Sequence, residues 1–209
     1  HDAFKIHAVV SAEGIVEEVA ALRAALGDEA LLMVDLHWKF DADQAIDMAA
    51  RLAPYRPYFI EAPVKHEDVA GLARVARDGR VPVAAGEEWH TVHEASLRLE
   101  RDAVAFIQPE MGHTGVTQFL RIARAAHARG VRIAPHATIG TGIFLAASLH
   151  ASATLPHLWR HEWQHSIFGR SLELLDTDMG YADRHYRLPT GPGLGVVPGP
   201  RFWDYAVAA

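Results

Sequence analysis

The chain has 209 residues, of which 50% are hydrophobic and 22% charged, so a disordered chain is excluded and a folded core is expected. A formal charge of -6 without a basic run excludes a nucleic acid partner. No cysteine is present, so any metal ion must be bound by oxygen or imidazole atoms. Neither a membrane span nor a signal peptide pattern is evident, and we expect a cytoplasmic protein without a membrane partner.

Short apolar runs alternate with amphipathic stretches along the chain. Helices are predicted over residues 15–26 and 41–53, the second between an Asp41 cap and the stop at Pro54, and after each later strand. Strands that alternate with helices run parallel through right-handed crossovers. The pattern therefore predicts an α/β fold of the TIM-like (β/α) barrel type. The predicted strands are residues 3–10, 31–36, 58–63, 82–87, 104–109, 131–136 and, with a weaker pattern, 158–163.

Seven strand signals are one fewer than the eight that close a TIM barrel. We therefore expect a partial barrel over residues 1–190 that lacks its first strand. The sequence begins with His1 rather than Met, which agrees with a chain that is part of a longer one. Residues 191–200, GPGLGVVPGP, are rich in Gly and Pro and can be neither helix nor central strand. Residues 191–209 are therefore predicted to form a C-terminal tail.

A titratable residue stands at the end of each predicted strand. In a parallel barrel the C-terminal ends of all strands lie on one face, so these side chains are expected around one mouth. Any one of them could instead cap the following helix. The shared spacing of 23 to 28 residues favours the ring. Its members are His7, Asp35, Glu61, Glu87, Glu110, His136 and Glu162.

Asp35, Glu61 and Glu87 follow three consecutive strands and are predicted to form a metal site. Adjacent strands are about 4.8 Å apart, and three carboxylates that close cannot all stay ionised without a counter-charge. Ligation by oxygen alone suits Mg²⁺, with Mn²⁺ as the other candidate. Solvated helix caps are the alternative explanation, and Glu88 is the register alternative to Glu87.

The motifs around these residues resemble the barrel domain of the mandelate racemase and muconate lactonizing enzyme branch of the enolase superfamily. They are VDLH, FIEAP, AAGEEW, IQPEMGHTG, APH and the tail PTGPGLGV, in the family's order and spacing. The resemblance implies a modified TIM barrel preceded by a capping α+β domain, which this chain would lack. It also implies Mg²⁺ that stabilises an enolate formed next to a carboxylate, and we expect a homo-oligomer in the full-length form.

Within this resemblance, His136 is the predicted base and Glu110 the carboxylate that orients it. A carboxylate on one imidazole nitrogen fixes the tautomer and raises the basicity of the other nitrogen. The family has an Asp-His pair at this place, whereas this chain has the longer Glu. The alternative for His136 is a core histidine bonded to the backbone.

His37 is the residue that distinguishes between reactions. Two positions after Asp35, it should point to the same face of the strand and lie beside the metal site. The D-x-H pattern resembles galactonate and mannonate dehydratases, in which this His acts as acid or base, so we assign it protonation of a leaving hydroxyl. The expected substrate is an aldonic or aldaric sugar acid and the product a 2-keto-3-deoxy acid. A loop-capping role for His37 is the alternative.

Two further residues complete the expected site. His7 stands where the family's K-x-K motif has its second lysine, so a lysine base is available only if Lys5 turns inward. With His7 as a base opposite His136, the same fold could racemise or epimerise a 2-hydroxy acid, which is the second hypothesis. Glu162 resembles the carboxylate that hydrogen-bonds the substrate carboxylate.

Two readings from other classes stay open. The sequence HEWQH, from His161 to His165, matches the H-E-x-x-H zinc peptidase signature, in which two histidines on one helix face bind zinc. The segment lies, however, where the last strand is expected. The second reading is a barrel fragment without catalytic activity, because an unclosed parallel sheet exposes an edge at each end.

Overall fold

The computed structural model describes residues 1–7, 11–137 and 140–205. These residues form two compact units. The first comprises His1–Gly86, His93–Ile107 and Ala128–Val131, and the second Glu87–Val92, Gln108–His127 and Arg132–Ala209. Residues 8–10 of the first predicted strand lie outside the described part of the chain. No helix in the described part is both long and apolar enough to cross a membrane.

Five parallel strands in chain order form the sheet of the first unit. They are β1 (Ala3–His7), β2 (Leu31–Asp35), β3 (Phe59–Glu61), β4 (Val83–Ala85) and β5 (Phe106–Ile107). The helices are α1 (Ala12–Leu26), α2 (Ala42–Leu52), α3 (Val69–Asp78) and α4 (Val92–Leu99), with a 3-10 turn at Ala53–Tyr55. The α/β prediction with parallel strands is therefore confirmed. Helices and sheet share a core whose fully buried members include Ile15, Val34, Leu52, Ile60, Val75 and Ile107.

Helix α2 begins and ends where the sequence predicts. The Asp41 side chain accepts a hydrogen bond from the backbone of Gln44 at 2.9 Å, and the Gln44 side chain accepts one from the backbone of Asp41 at 3.1 Å. This reciprocal pair is a capping box, which satisfies two backbone donors at the helix start. Pro54 lies inside the 3-10 turn that follows, because its ring has no N–H to continue an α-helix.

The second unit contains helices α5 (Met111–Ala128), α6 (Gly142–Ser152) and α7 (His165–Leu172), with strand β6 (Arg132–Ile133). Helix α5 is kinked at Gly115, whose φ of 59° and ψ of 170° together lie in a region that essentially only glycine adopts. The hairpin of β7 (Tyr181–Ala182) and β8 (His185–Tyr186) follows, and a 3-10 helix, Pro200–Tyr205, lies near the end. One core cluster of this unit consists of Ala137, Leu145, Ala146, Leu149, Phe168, Leu175 and Met179.

Apart from strand bounds, which are shorter than predicted for several strands, the predicted elements differ from the structure in two places. The strand expected over residues 158–163 is reduced to one parallel bridge between Ile133 and Leu158, because the segment LWRHEW has no continuous apolar run to bury. The β7–β8 hairpin was not predicted. Its turn residues Asp183 and Arg184 have positive φ without the glycine that signals such turns. The predicted C-terminal tail also contains a 3-10 helix, Pro200–Tyr205, which begins at the last residue of the Gly/Pro-rich run.

Candidate active site

Three of the predicted residues lie side by side where strands β1, β2 and β3 end. The Cα atom of Asp35 is in register with His7 on one side and with Glu61 on the other. Asp35 is 5% exposed and Glu61 1% exposed, whereas His7 is exposed. Two nearly buried carboxylates at neighbouring strand ends require compensating positive charge. This pair is therefore the part of the predicted metal site that the first unit holds.

Lys5 supplies part of that charge. Its Nζ donates hydrogen bonds to both carboxylate oxygens of Glu61, at 2.8 and 2.9 Å. Lys5 is two residues before His7 on the same strand, so both side chains point to the same face of the sheet. The sequence left open whether Lys5 turns inward, and the structure shows that it does.

His37 reaches Asp35 by a different geometry from the one predicted. Strand β2 ends at Asp35, so the alternation of strand side chains does not extend to His37. Instead, His37 and Trp38 form a turn with φ values of 46° and 57°. The backbone N–H of His37 donates to Asp35 Oδ1 at 2.9 Å. His37 therefore lies beside Asp35, but the turn after β2, rather than strand alternation, brings it there.

The His37 ring lies against His7. Their ring centroids are 4.7 Å apart in an edge-to-face arrangement, and His7 Nε2 is 3.7 Å from Asp35 Oδ2. Burial lowers the pKa of His7, and the neighbouring His37 and Lys5 lower it further. Both imidazoles and the carboxylate are thus grouped at the end of β2.

In the second unit, His136 pairs with Glu110 as predicted. His136 Nδ1 is hydrogen-bonded to Glu110 Oε2, and the two residues form a parallel β-bridge. When Nδ1–H donates to this carboxylate, Nε2 is the nitrogen left to exchange a proton. Nε2 faces two other predicted residues, with Glu87 Oε2 at 3.2 Å and Glu162 Oε2 at 3.7 Å. The hydrogen bond to Nδ1 also shows that Glu110, although longer than the Asp of the family pattern, reaches the imidazole of His136.

Glu162 is held by contacts that the sequence did not reveal. Its carboxylate accepts a hydrogen bond from the backbone of Ala137 at 2.8 Å. Its backbone carbonyl accepts two more, from Tyr186 Oη at 2.5 Å and from His161 Nδ1 at 2.8 Å. Burial and the negative charge of Glu162 raise the pKa of Tyr186, so its hydroxyl stays a donor. These contacts join residues far apart in sequence, which no local pattern predicts.

His161 is a neutral histidine in this arrangement. Because Nδ1–H donates to a carbonyl, Nε2 is left to accept, and it does so from Ser148 Oγ at 2.7 Å. Burial lowers the pKa of His161 to about 4. Both ring nitrogens therefore have structural roles: Nδ1 holds the backbone carbonyl of Glu162, and Nε2 binds Ser148.

His113 plays a comparable part for Glu87. Its Nδ1 donates to the backbone carbonyl of Glu87 at 2.8 Å, and its ring stacks on His90 with centroids 5.3 Å apart. Glu87 itself is 9% exposed, while the register alternative Glu88 is half-buried. The Glu87 carboxylate is the one that contacts His136, which favours Glu87 over Glu88 as the site residue.

The zinc peptidase reading fails on local structure. Helix α7 begins only at His165, and residues 161–164 are not helical. The signature requires both histidines on consecutive turns of one helix. His161 also uses both nitrogens for Ser148 and Glu162. HEWQH is therefore not a zincin helix in this chain.

Comparison with known proteins identifies the family to which the chain belongs. The sequence profile of the enolase C-terminal domain-like family matches residues 1–201. D-galactonate dehydratase from Ralstonia nicotianae is 36% identical over 191 residues, which are 88% of this chain and 50% of that protein. D-gluconate dehydratase from Thermoproteus tenax is 32% identical over 194 residues, 88% of this chain and 37% of that protein. The chain thus spans half or less of these curated relatives.

Solved structures give the same result. An enolase superfamily member from Agrobacterium tumefaciens superposes with a TM-score of 0.93 at 47% identity, covering 97% of this chain and 52% of that one. A racemase from Streptomyces coelicolor A3(2) with bound magnesium superposes with a TM-score of 0.87 at 29% identity, covering 99% of this chain and 55% of that one. Together with the profile match, these structures confirm the predicted type of barrel domain.

Proposed function

The chain belongs to the enolase C-terminal domain-like family, in the mandelate racemase and muconate lactonizing enzyme branch of the enolase superfamily, and we propose that it acts as a sugar acid dehydratase. The observation that carries the proposal is the hydrogen bond between His136 and Glu110, which orients an imidazole for proton removal. The similarity of the chain to D-galactonate and D-gluconate dehydratases supports an aldonic or aldaric acid as substrate.

Asp35, Glu61 and Glu87 are the residues that would hold Mg²⁺. Asp35 and Glu61 fit a hard cation, because they are nearly buried carboxylates at adjacent strand ends. Bound there, the ion would supply positive charge against the negative charge that develops on the substrate carboxylate. Lys5, which already neutralises Glu61, would add positive charge on the same strand face.

The proposed reaction has two proton transfers, each carried out by a different histidine. His136 Nε2 removes the proton from the carbon next to the carboxylate, while Glu110 on Nδ1 holds the ring and stabilises the imidazolium. His37 donates a proton to the hydroxyl that leaves from the next carbon, and that hydroxyl departs as water. The resulting enol tautomerises to a 2-keto-3-deoxy acid. Glu162, whose backbone carbonyl is held by Tyr186 and His161, donates a hydrogen bond to the substrate carboxylate from its protonated carboxyl group.

A racemase or epimerase of a 2-hydroxy acid is the second candidate. It is favoured by the position of His7, an imidazole at the end of β1 beside Asp35, and by the similarity to the racemase from Streptomyces coelicolor A3(2). With a second base, deuterium would exchange at carbon 2 without loss of water. The two candidates therefore differ in a measurable product.

The test is a screen of aldonic and aldaric acids with Mg²⁺ in D₂O, with 2-keto acid and deuterium at carbon 2 measured together. We expect keto acid from at least one acid, and the His37→Asn variant should lose elimination by about 10²-fold or more while retaining exchange. The matched control is His93→Asn, which changes an exposed histidine in helix α4. Exchange without keto acid in the unmodified protein would favour the epimerase. Equal loss of exchange and elimination in His37→Asn would remove the role given to His37.

A further inference from the structure

A second cluster of metal-ligating atoms lies in the first unit, and the proposed Mg²⁺ set does not include it as a group. His7, Asp35 and His37 each offer one ligand atom, and these atoms all lie within 4.8 Å of one another. Only Asp35 is shared with the carboxylate set. The other two members are imidazoles, one at the end of β1 and one in the turn after β2.

The second oxygen of Asp35 faces this cluster. Asp35 Oδ1 accepts the backbone N–H of His37, and Asp35 Oδ2 lies 3.7 Å from His7 Nε2. In a tetrahedral site with ligand bonds of about 2.1 Å, two ligand atoms are about 3.4 Å apart. The His7 and Asp35 atoms are therefore close to ligand spacing already. The ligand atom of the exposed His37 lies within 4.8 Å of both.

The turn that carries His37 is tied to the sheet. The backbone N–H of Trp38 donates to the carbonyl of Ala62 at 2.7 Å, and that of Leu36 donates to the carbonyl of Glu61 at 2.9 Å. The Trp38 ring lies against the His37 ring with centroids 4.2 Å apart. These contacts limit the positions open to the imidazole, which lowers the entropy cost of binding an ion.

The ligand types define the class of ion. Two imidazoles and one carboxylate suit borderline transition metals such as Zn²⁺, Co²⁺ and Fe²⁺, whereas Mg²⁺ requires oxygen ligands. Three protein ligands also leave coordination positions for water or an anionic ligand. The cluster therefore differs in metal preference from the carboxylate set, although the two share Asp35.

We propose that His7, Asp35 and His37 form a transition-metal site, typified by Zn²⁺, that competes with the Mg²⁺-dependent reaction. A bound Zn²⁺ ion would occupy the His37 nitrogen that the proposed dehydration needs as an acid, and it would occupy Asp35 as well. The inhibitory consequence rests on the proposed function, whereas the metal site itself does not.

The test is a Co²⁺ titration of the complete protein, read by the visible d–d absorption of the ion and followed by displacement with Zn²⁺. Imidazole ligands in a four-coordinate site give intense bands, whereas an all-oxygen six-coordinate site gives weak ones. We expect intense bands with the unmodified protein. The variants His7→Asn and His37→Asn should each weaken Co²⁺ binding at least tenfold, while Glu61→Gln should leave the intense bands in place.

His93→Asn is the matched control and should leave the titration unchanged, because His93 is an exposed histidine of the same unit, in helix α4 and outside the cluster. Circular dichroism of each variant establishes that it is folded. Weak bands only, or equal binding in the unmodified protein and folded His7→Asn, would overturn the proposal. If the protein dehydrates a sugar acid but His7→Asn does not change the Co²⁺ titration, the metal site is refuted and the proposed function is not. If His7→Asn weakens Co²⁺ binding but the protein dehydrates none of the acids, the proposed function is refuted and the metal site is not.

Discussion

At the scale of single residues, His161 makes protein stability depend on pH. In the unfolded chain the imidazole is protonated when the pH is below its ordinary pKa of 6.5. In the folded chain, burial lowers this pKa and keeps the imidazole neutral down to about pH 4. The unfolded state therefore binds more protons inside this window. The free energy of unfolding should fall as the pH drops from about 6.5 to about 4, with no contribution from His161 above the window.

The expected loss is up to ~3 kcal/mol, at about 1.4 kcal/mol per unit of pKa difference. Urea unfolding of the complete protein between pH 4 and pH 7 measures it. The variant His161→Gln, whose amide cannot titrate, should flatten the curve across the window, and the exposed His185→Gln should not. An identical pH dependence in His161→Gln and the unmodified protein would show that His161 does not contribute.

At the scale of elements, the capping box makes Asp41 the residue that starts α2. Asp41→Ala removes the side chain that accepts the backbone N–H of Gln44, so the variant should lose about 1 kcal/mol of unfolding free energy. The control is Asp47→Ala, which removes the same charge from an exposed position inside the helix and should change stability by less than about 0.5 kcal/mol. Equal effects of both changes in urea denaturation would contradict the capping role.

The order and the direction of the elements could be predicted because their signals are local. The apolar runs that became β1 to β5 and the caps of α2 lie within a few residues of sequence. The strand ends were predicted too long where prolines stand, as at Pro63 and Pro82, because proline donates no hydrogen bond to a neighbouring strand. The β7–β8 hairpin was missed because its positive-φ turn is formed by Asp183 and Arg184.

At the scale of the whole molecule, periodic spacing predicted which residues stand at strand ends but not how they are supported. The register of His7, Asp35 and Glu61 and the pairing of Glu110 with His136 follow from parallel βα units of similar length. The contacts of Tyr186 and His161 with Glu162, and of Lys5 with Glu61, depend on side-chain packing between distant segments. Such contacts have no sequence period, so only coordinates reveal them.

The central claim is that His136, oriented by Glu110, removes the proton next to the carboxylate of a sugar acid. Its most direct test is deuterium exchange at carbon 2 in D₂O with Mg²⁺, using an acid that the screen identifies and comparing the unmodified protein with His136→Asn. The account predicts that exchange and keto acid formation both fall by at least about 10²-fold in a variant that remains folded and still binds Mg²⁺. Exchange at an unchanged rate in folded His136→Asn would contradict it.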